Sequence, residues 1–315
     1  MFKNILVPLD GSPVAEAALP YAKVLSRRLD TRLTLVRAAH YASLLGDVAA
    51  EQYRSVQQAE DYLGRHVERL ASDGYPAQAA VPFGGSTARW IVEEAEIRRA
   101  DLVVMATHDR VGADRWLHGS VAESVVHRCT IPVMLVRGGD VEQFALRLAD
   151  PVPVLVVPLD GSELAEAALP IARGLANTLG ARLLLVSATP APGQLVAGQG
   201  GAITTYTAPD LAELQEDVHT YLQQTAQRIA PGADIDVVVR SGDAATQIAE
   251  VAQEYMAAAV VMATHGRAGA MRTILGSVAG NVVHRSSGPV VLVRARPVEV
   301  VEPVAVQQIA ALPAN

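Results

Sequence analysis

The chain of 315 residues contains a single cysteine, Cys129. That scarcity excludes an intrachain disulfide framework and any metal site built from several thiolates. Aromatic residues are also few, 4% against 50% hydrophobic overall. A core must then be built from Ala, Val, Leu and Ile, as in parallel sheets buried between helices. Basic residues are outnumbered, 26 Lys and Arg against 33 Asp and Glu, for a net charge of −7. Such a balance argues against a nucleic-acid or anionic-membrane surface. No apolar run approaches the roughly 20 residues that span a bilayer. The first strand-like run, Ile5 to Leu9, begins within a few residues of the first residue, so a secretion signal is not expected. The expected class is a soluble, cytoplasmic α/β protein. Cys129 sits at an apolar helix end just before Ile131-Pro132, where packing rather than nucleophilic chemistry is expected.

What the chain does contain is a repeat. The run V-P-L-D-G-S-x-x-A-E-A-A-L-P occupies 7–20 and again 157–170, an offset of 150. Met105 to His108 recurs as Met262 to His265, and Gly119 to Ala122 as Gly276 to Ala279, both offset by 157. The second copy therefore carries seven extra residues, which the Gly-, Pro- and Thr-rich stretch from Thr189 to Pro209 can hold as a flap-like loop. In the first copy, apolar runs predict strands over Ile5 to Leu9, Leu33 to Ala38, Ala77 to Val81, Leu102 to Ala106 and Ile131 to Val136. Helical spacing predicts one helix after Pro13 with Ala15, Ala18, Leu19, Ala22, Leu25 and Leu29 on one face. Further helices are expected over 51–72, around Trp90, Ile91 and Ala95, and after Gly119-Ser120. The expected organisation is two domains, 1–138 and 153–296, joined by a linker over 139–152. That linker is read as lacking periodicity, with Gly138-Gly139 at its start and Pro151 near its end. A tail over 297–315 with three prolines is either disordered or laid on a partner surface.

The stretch Ala263 to Ser277, A-T-H-G-R-A-G-A-M-R-T-I-L-G-S, follows an apolar strand and runs into a helix. Gly266 and Gly276 leave backbone N–H groups open to approach, Ser277 adds a hydroxyl, and a helix N-terminus carries partial positive charge, so this turn suits a phosphate. A tight turn with no ligand is the competing reading, weakened by the recurrence of the frame in both copies. In an open parallel sheet, ligands bind beyond the carboxyl ends of the strands where the connections change side. Placing strands one and four side by side makes Asp160 face the Gly-rich stretch. A carboxylate that accepts from ribose hydroxyls opposite a phosphate loop describes a nucleotide held at both ends. Asp10 and Asp160 also read as turn residues satisfying local N–H groups, and the two roles are compatible.

This arrangement resembles the universal stress protein family in its tandem form, over about Phe2 to Arg137 and Pro153 to Arg294. The most specific part is the G-x-x-G-x9-G-[ST] pattern of the ATP-binding branch, carried here by Ala263, Gly266, Gly276 and Ser277, with alanine at the first glycine. The resemblance implies two tandem Rossmann-like domains, each a five-stranded parallel sheet of order 3-2-1-4-5 with helices on both faces. By position it implies that Asp160 contacts ribose, Pro158 and Ala188 border adenine, and Gly266, Gly276 and Ser277 hold phosphates, with Ala263 among the nucleotide-binding positions. ATP, or AMP or ADP, with magnesium or manganese, is the implied ligand. Pro8, Asp10, Ala38, Ala106, Gly119 and Ser120 are the matching positions of the first copy, where Asp109 stands in place of the second glycine. A carboxylate about 4 Å from a phosphate costs on the order of 4 kcal/mol at an effective dielectric of 20. The second copy is therefore the expected ATP site.

His108, His118, His127, His265 and His284 lack the close helical spacing of a metal pair, and loop ordering or helix-end charge accounts for them. Arg267 and Arg272 either pair with phosphate or face solvent. The expected function is a nucleotide-binding stress or regulatory module. An adenylating enzyme or slow ATPase is the alternative, and no Ser-Gly-Gly-x-Asp-Ser pyrophosphatase loop is present. A structural protein that binds no nucleotide is the third class. Strand five, Val133 to Val136 and Val290 to Val293, is apolar on both faces yet predicted at a sheet edge, so the copies are expected to cover each other as a pseudo-twofold pair. A homodimer is left open.

Overall fold

The computed structural model describes residues 2–39, 48–107, 121–137, 141–193, 195–197, 203–205, 207–231, 235–264 and 276–295. The first copy runs β1 (Asn4–Pro8), α1 (Pro13–Glu16), α2 (Ala18–Leu29), β2 (Arg32–Val36), α3 (Val48–Ser72), β3 (Ala77–Ala80), α4 (Thr87–Ile97), β4 (Leu102–Thr107), α5 (Val121–Arg128) and β5 (Val133–Arg137). Helix α6 (Val141–Ala149) follows. The second copy runs β6 (Val154–Pro158), α7 (Glu163–Glu166), α8 (Leu169–Leu179), β7 (Arg182–Thr189), β8 (Leu195–Ala197), β9 (Ile203–Thr205), α9 (Ala208–Ile229), β10 (Asp236–Ser241), α10 (Ala244–Glu254), β11 (Ala259–Thr264), α11 (Ser277–Arg285) and β12 (Val290–Arg294).

The apolar runs become strands because both sheet faces are covered: all five residues of β1 and of β6 are buried. Each first helix breaks after one turn. Pro20 and Pro170 have no N–H to give the carbonyls of Glu16 and Glu166, so α1 and α7 stop there and a second helix begins. Ser12 and Ser162 cap the first turns, their hydroxyls accepting from Ala15 N and Ala165 N. Helices α2 and α8 end on left-handed residues, Asp30 and Gly180.

The strands join one ten-stranded sheet, β10-β7-β6-β11-β12-β5-β4-β1-β2-β3. Each half has the expected order 3-2-1-4-5 and is parallel within itself. The apolar edge of each half is covered by the other, because β5 and β12 pair antiparallel with Met134 opposite Val291. These two residues are equivalents under the 157-residue offset, so the pseudo-twofold axis passes between them and the seam is self-complementary. Its flanks repeat the symmetry: Arg137 Nη2 donates to Val283 O at 2.7 Å and Arg294 Nη1 to Arg128 O at 3.3 Å. Each cation meets the carboxyl end of the other copy's helix, where the helix dipole favours it.

Two stretches differ from the sequence reading. The segment 139–152 is not structureless: α6 buries Phe144 and Leu148, with the Phe144 ring centroid 5.1 Å from that of Tyr21 on α2. Arg147 Nη1 donates to Ala257 O of the second copy at 3.1 Å, so α6 bridges the copies. Its apolar positions Val141, Phe144 and Leu148 do have helical spacing; the flanking glycines and proline obscured it. The stretch from Thr189 to Pro209 holds β8 and β9, paired antiparallel from Leu195↔Thr205 to Ala197↔Ile203. The tail 297–315 lies outside the described residues.

Candidate functional site

In both halves the first and fourth strands part before they end. The β1–β4 ladder pairs only Ile5↔Leu102 and Leu6↔Val103, and the β6–β11 ladder only Ala259↔Leu155 and Val260↔Val156. Beyond these pairs Pro8 and Pro158 have no N–H to extend the ladder. A crevice opens at each split, at the carboxyl ends of the strands where the connections change side.

In the second copy the crevice is a cavity of about 480 Å³. It is lined by all six described positions read from the sequence for that copy: Pro158, Asp160, Ala188, Ala263, Gly276 and Ser277. Gly266 lies outside the described residues, as do His265, Arg267 and Arg272. The floor is apolar, made by Val186, Ile248 and Met262, each buried. These three fit an ordinary apolar core pattern in the sequence; their places, one on each element under the crevice, become visible only with the fold. At one side Asp160 is exposed, its Oδ1 accepting from Ser162 N at 3.0 Å and Ser162 Oγ at 2.6 Å. The turn role therefore occupies one carboxylate oxygen, and the second can accept from a ligand. At the other side α11 begins at Ser277, with Gly276 as an N-cap that provides no side-chain bond. Its first N–H groups lie at the cavity wall, a favourable place for an anion.

The first copy repeats the cavity at about 460 Å³, lined by Pro8, Asp10, Ala38 and Ala106 over the equivalent floor of Val36, Ile91 and Met105. Gly119, Ser120, Asp109, His108 and His118 lie outside the described residues. Asp10 Oδ1 accepts from Ser12 N at 2.8 Å. This cavity also has walls that sequence reasoning missed: Arg37, Ser55, Gln58 and Thr87 line it. Position 37 corresponds to Ser187, so the first cavity carries a cation where the second has a buried hydroxyl.

A matched hydrogen bond holds each long helix to the turn beside its cavity. Tyr62 Oη donates to Glu16 Oε1 at 2.7 Å, and Tyr221 Oη to Glu166 Oε1 at 2.9 Å. Burial and the bonded carboxylate push both phenols up, Tyr221 to about 12. Glu16 and Glu166 recur at the 150-residue offset, whereas Tyr62 and Tyr221 stand 159 apart, off both repeat offsets, so the repeat frame did not pair them. Cys129 is buried and desolvation raises its thiol pKa, which fits packing rather than reactivity. Among the described residues no group of three or more His, Cys, Asp or Glu could hold a metal ion, and no helix is long and apolar enough to cross a membrane.

Comparison with known proteins supplies the family. The chain is 28% identical over 141 residues, 44% of its length, to a universal stress protein of Methanocaldococcus jannaschii, of which 83% is covered. It is 33% identical over 140 residues, again 44% of its length, to a universal stress protein of Thermus aquaticus, which is covered in full. A solved universal stress protein of Archaeoglobus fulgidus superposes with a TM-score of 0.65 at 21% identity, over 93% of this chain and 98% of that one. At that identity the likeness speaks for the fold. The family model described as Universal stress protein family matches residues 1–137 and 153–294, so both halves are accounted for and the chain belongs to the universal stress protein family.

Proposed function

We propose that this chain is an adenine-nucleotide-binding regulatory or stress-response module, with ATP held in the second copy. The observation that carries the reading is the convergence of Pro158, Asp160, Ala188, Ala263, Gly276 and Ser277 on one cavity. About 480 Å³ is within the ordinary range of small-molecule sites. Its parts fit the parts of a nucleotide. The apolar floor accepts the base, the exposed Asp160 accepts from ribose hydroxyls, and the α11 N-terminus with Ser277 receives phosphate.

A divalent cation, magnesium or manganese, fits this donor set only as the companion of the triphosphate. Asp160 is the one carboxylate among the described residues lining the cavity, and magnesium is commonly bound by few carboxylates together with substrate phosphates. The cation would supply charge neutralisation along the phosphates.

Calorimetric titration with ATP and magnesium tests the reading in wild type and in Gly276→Trp, whose indole would occupy the phosphate end. Binding by wild type and loss in the variant, with unchanged unfolding, is the expected result. Equal ATP affinity in the folded variant would remove the assignment.

A further inference from the structure

The two cavities share a floor but not their polar walls, and the difference is centred on Arg37. Its guanidinium stacks 4.5 Å from the Tyr62 ring centroid. It also lies against Gly11, where Nη1 stands 3.2 Å from the place a Cβ would occupy. Gly11 has φ +89°, so glycine there serves both the turn and the close approach of the arginine. At the equivalent Gly161 nothing lies within 4 Å of that place, because the second copy has Ser187 instead. The cation therefore lies against the turn residue that follows Asp10 and lines the same cavity, Asp10 being the position that faces the sugar on the nucleotide reading. Gln58 of α3 lines the same cavity and adds an amide donor, while no residue of α9 lines the second one.

An aspartate alone beside a ribose accepts from its hydroxyls, whereas an arginine at that place accommodates a phosphate on the ribose. The guanidinium fork matches phosphate oxygens and is charged at every working pH. We propose that the first cavity takes an adenine nucleotide phosphorylated on its ribose, at the 2′ or 3′ oxygen, with Arg37 as the partner of that phosphate. The Asp10 carboxylate by itself would repel such a ligand, and the guanidinium lining the same cavity carries the opposite charge. This inference rests on the nucleotide reading of the paired cavities and assigns the two copies different ligands.

The test is calorimetric titration of the full chain with adenosine 3′,5′-bisphosphate, adenosine 2′,5′-bisphosphate and adenosine 5′-monophosphate. Wild type should bind one of the bisphosphates at one site per chain at least about tenfold more tightly than the monophosphate. Arg37→Gln, which removes the charge and the guanidinium fork, should erase that preference and leave ATP affinity at the second cavity unchanged. ATP binding at the second cavity of the same variant reports that the chain is folded. Equal affinity for bisphosphates and monophosphate in wild type, or a preference that survives Arg37→Gln, would overturn the inference while leaving the ATP reading in place. Failure of every adenine compound, ATP included, would overturn both.

Discussion

Asp160 has a turn role on display and a ligand role proposed, and the substitution Asp160→Asn separates them. Asparagine keeps one side-chain oxygen, enough to accept from Ser162 N and Oγ as Asp160 Oδ1 does. Unfolding of the ligand-free protein should therefore change by less than about 0.5 kcal/mol. The amide group that replaces the second oxygen cannot accept from a ribose hydroxyl. A hydrogen bond to a charged group contributes about 1.5–3 kcal/mol, so ATP affinity should fall by roughly 10- to 100-fold. Asp160→Ala removes both roles and should additionally lower stability by about 1 kcal/mol. The matched Asp10→Asn in the first copy should leave ATP affinity at the second unchanged. Calorimetry with ATP and magnesium, paired with denaturant unfolding without nucleotide, reads each quantity separately. An Asp160→Asn protein with wild-type ATP affinity would refute the reasoning, leaving Asp160 a turn residue.

Three further outcomes follow from the packing. Phe144→Ala should destabilise the chain by about 3–5 kcal/mol, because α6 buries this ring against Tyr21; a loss below about 1 kcal/mol in denaturant unfolding would restore 139–152 to a passive linker. Val291→Asp puts an unpaired charge at the centre of the β5–β12 seam and should cost about 3 kcal/mol or more, while a small-angle scattering profile of two separate lobes in wild type would deny the seam itself. The Tyr221 phenol is raised from 10.0 to about 12, so the unfolded chain loses that proton first. Its contribution to stability is present below pH 10 and is lost between about 10 and about 12. The tyrosinate absorbance difference between wild type and Tyr221→Phe should titrate in that window, and a midpoint near 10 would contradict the half-buried Glu166 bond.

Most of the fold could be read from the chain because its strands are uninterrupted apolar runs and its signals occur twice. Val133 to Val136 and Val290 to Val293 were apolar on both faces at a predicted edge, and that conflict itself pointed to the pairing of β5 with β12. What escaped depends on contacts distant in sequence. Helix α6 has nine residues, too few to be stable alone, and exists by packing Phe144 against Tyr21, more than a hundred residues earlier, and by Arg147 reaching Ala257, 110 residues later. Pro158 of the candidate site came with the family resemblance, while Asp160 and Gly276 were legible because turn and loop residues break the apolar pattern. The cavity floor was not, since Val186, Ile248 and Met262 satisfy the core pattern equally well. Arg37 gave no local signal; its meaning comes from the absence of a counterpart at Ser187 and from its place against Gly11.

A crystal structure of the full chain grown with ATP and magnesium tests the central claim most directly. The account places the base of the nucleotide against Pro158 and Ala188, the ribose hydroxyls at Asp160 and the phosphates at Gly276 and Ser277. Nucleotide bound anywhere else on the chain, or a second cavity that stays empty at saturating ATP, would contradict it.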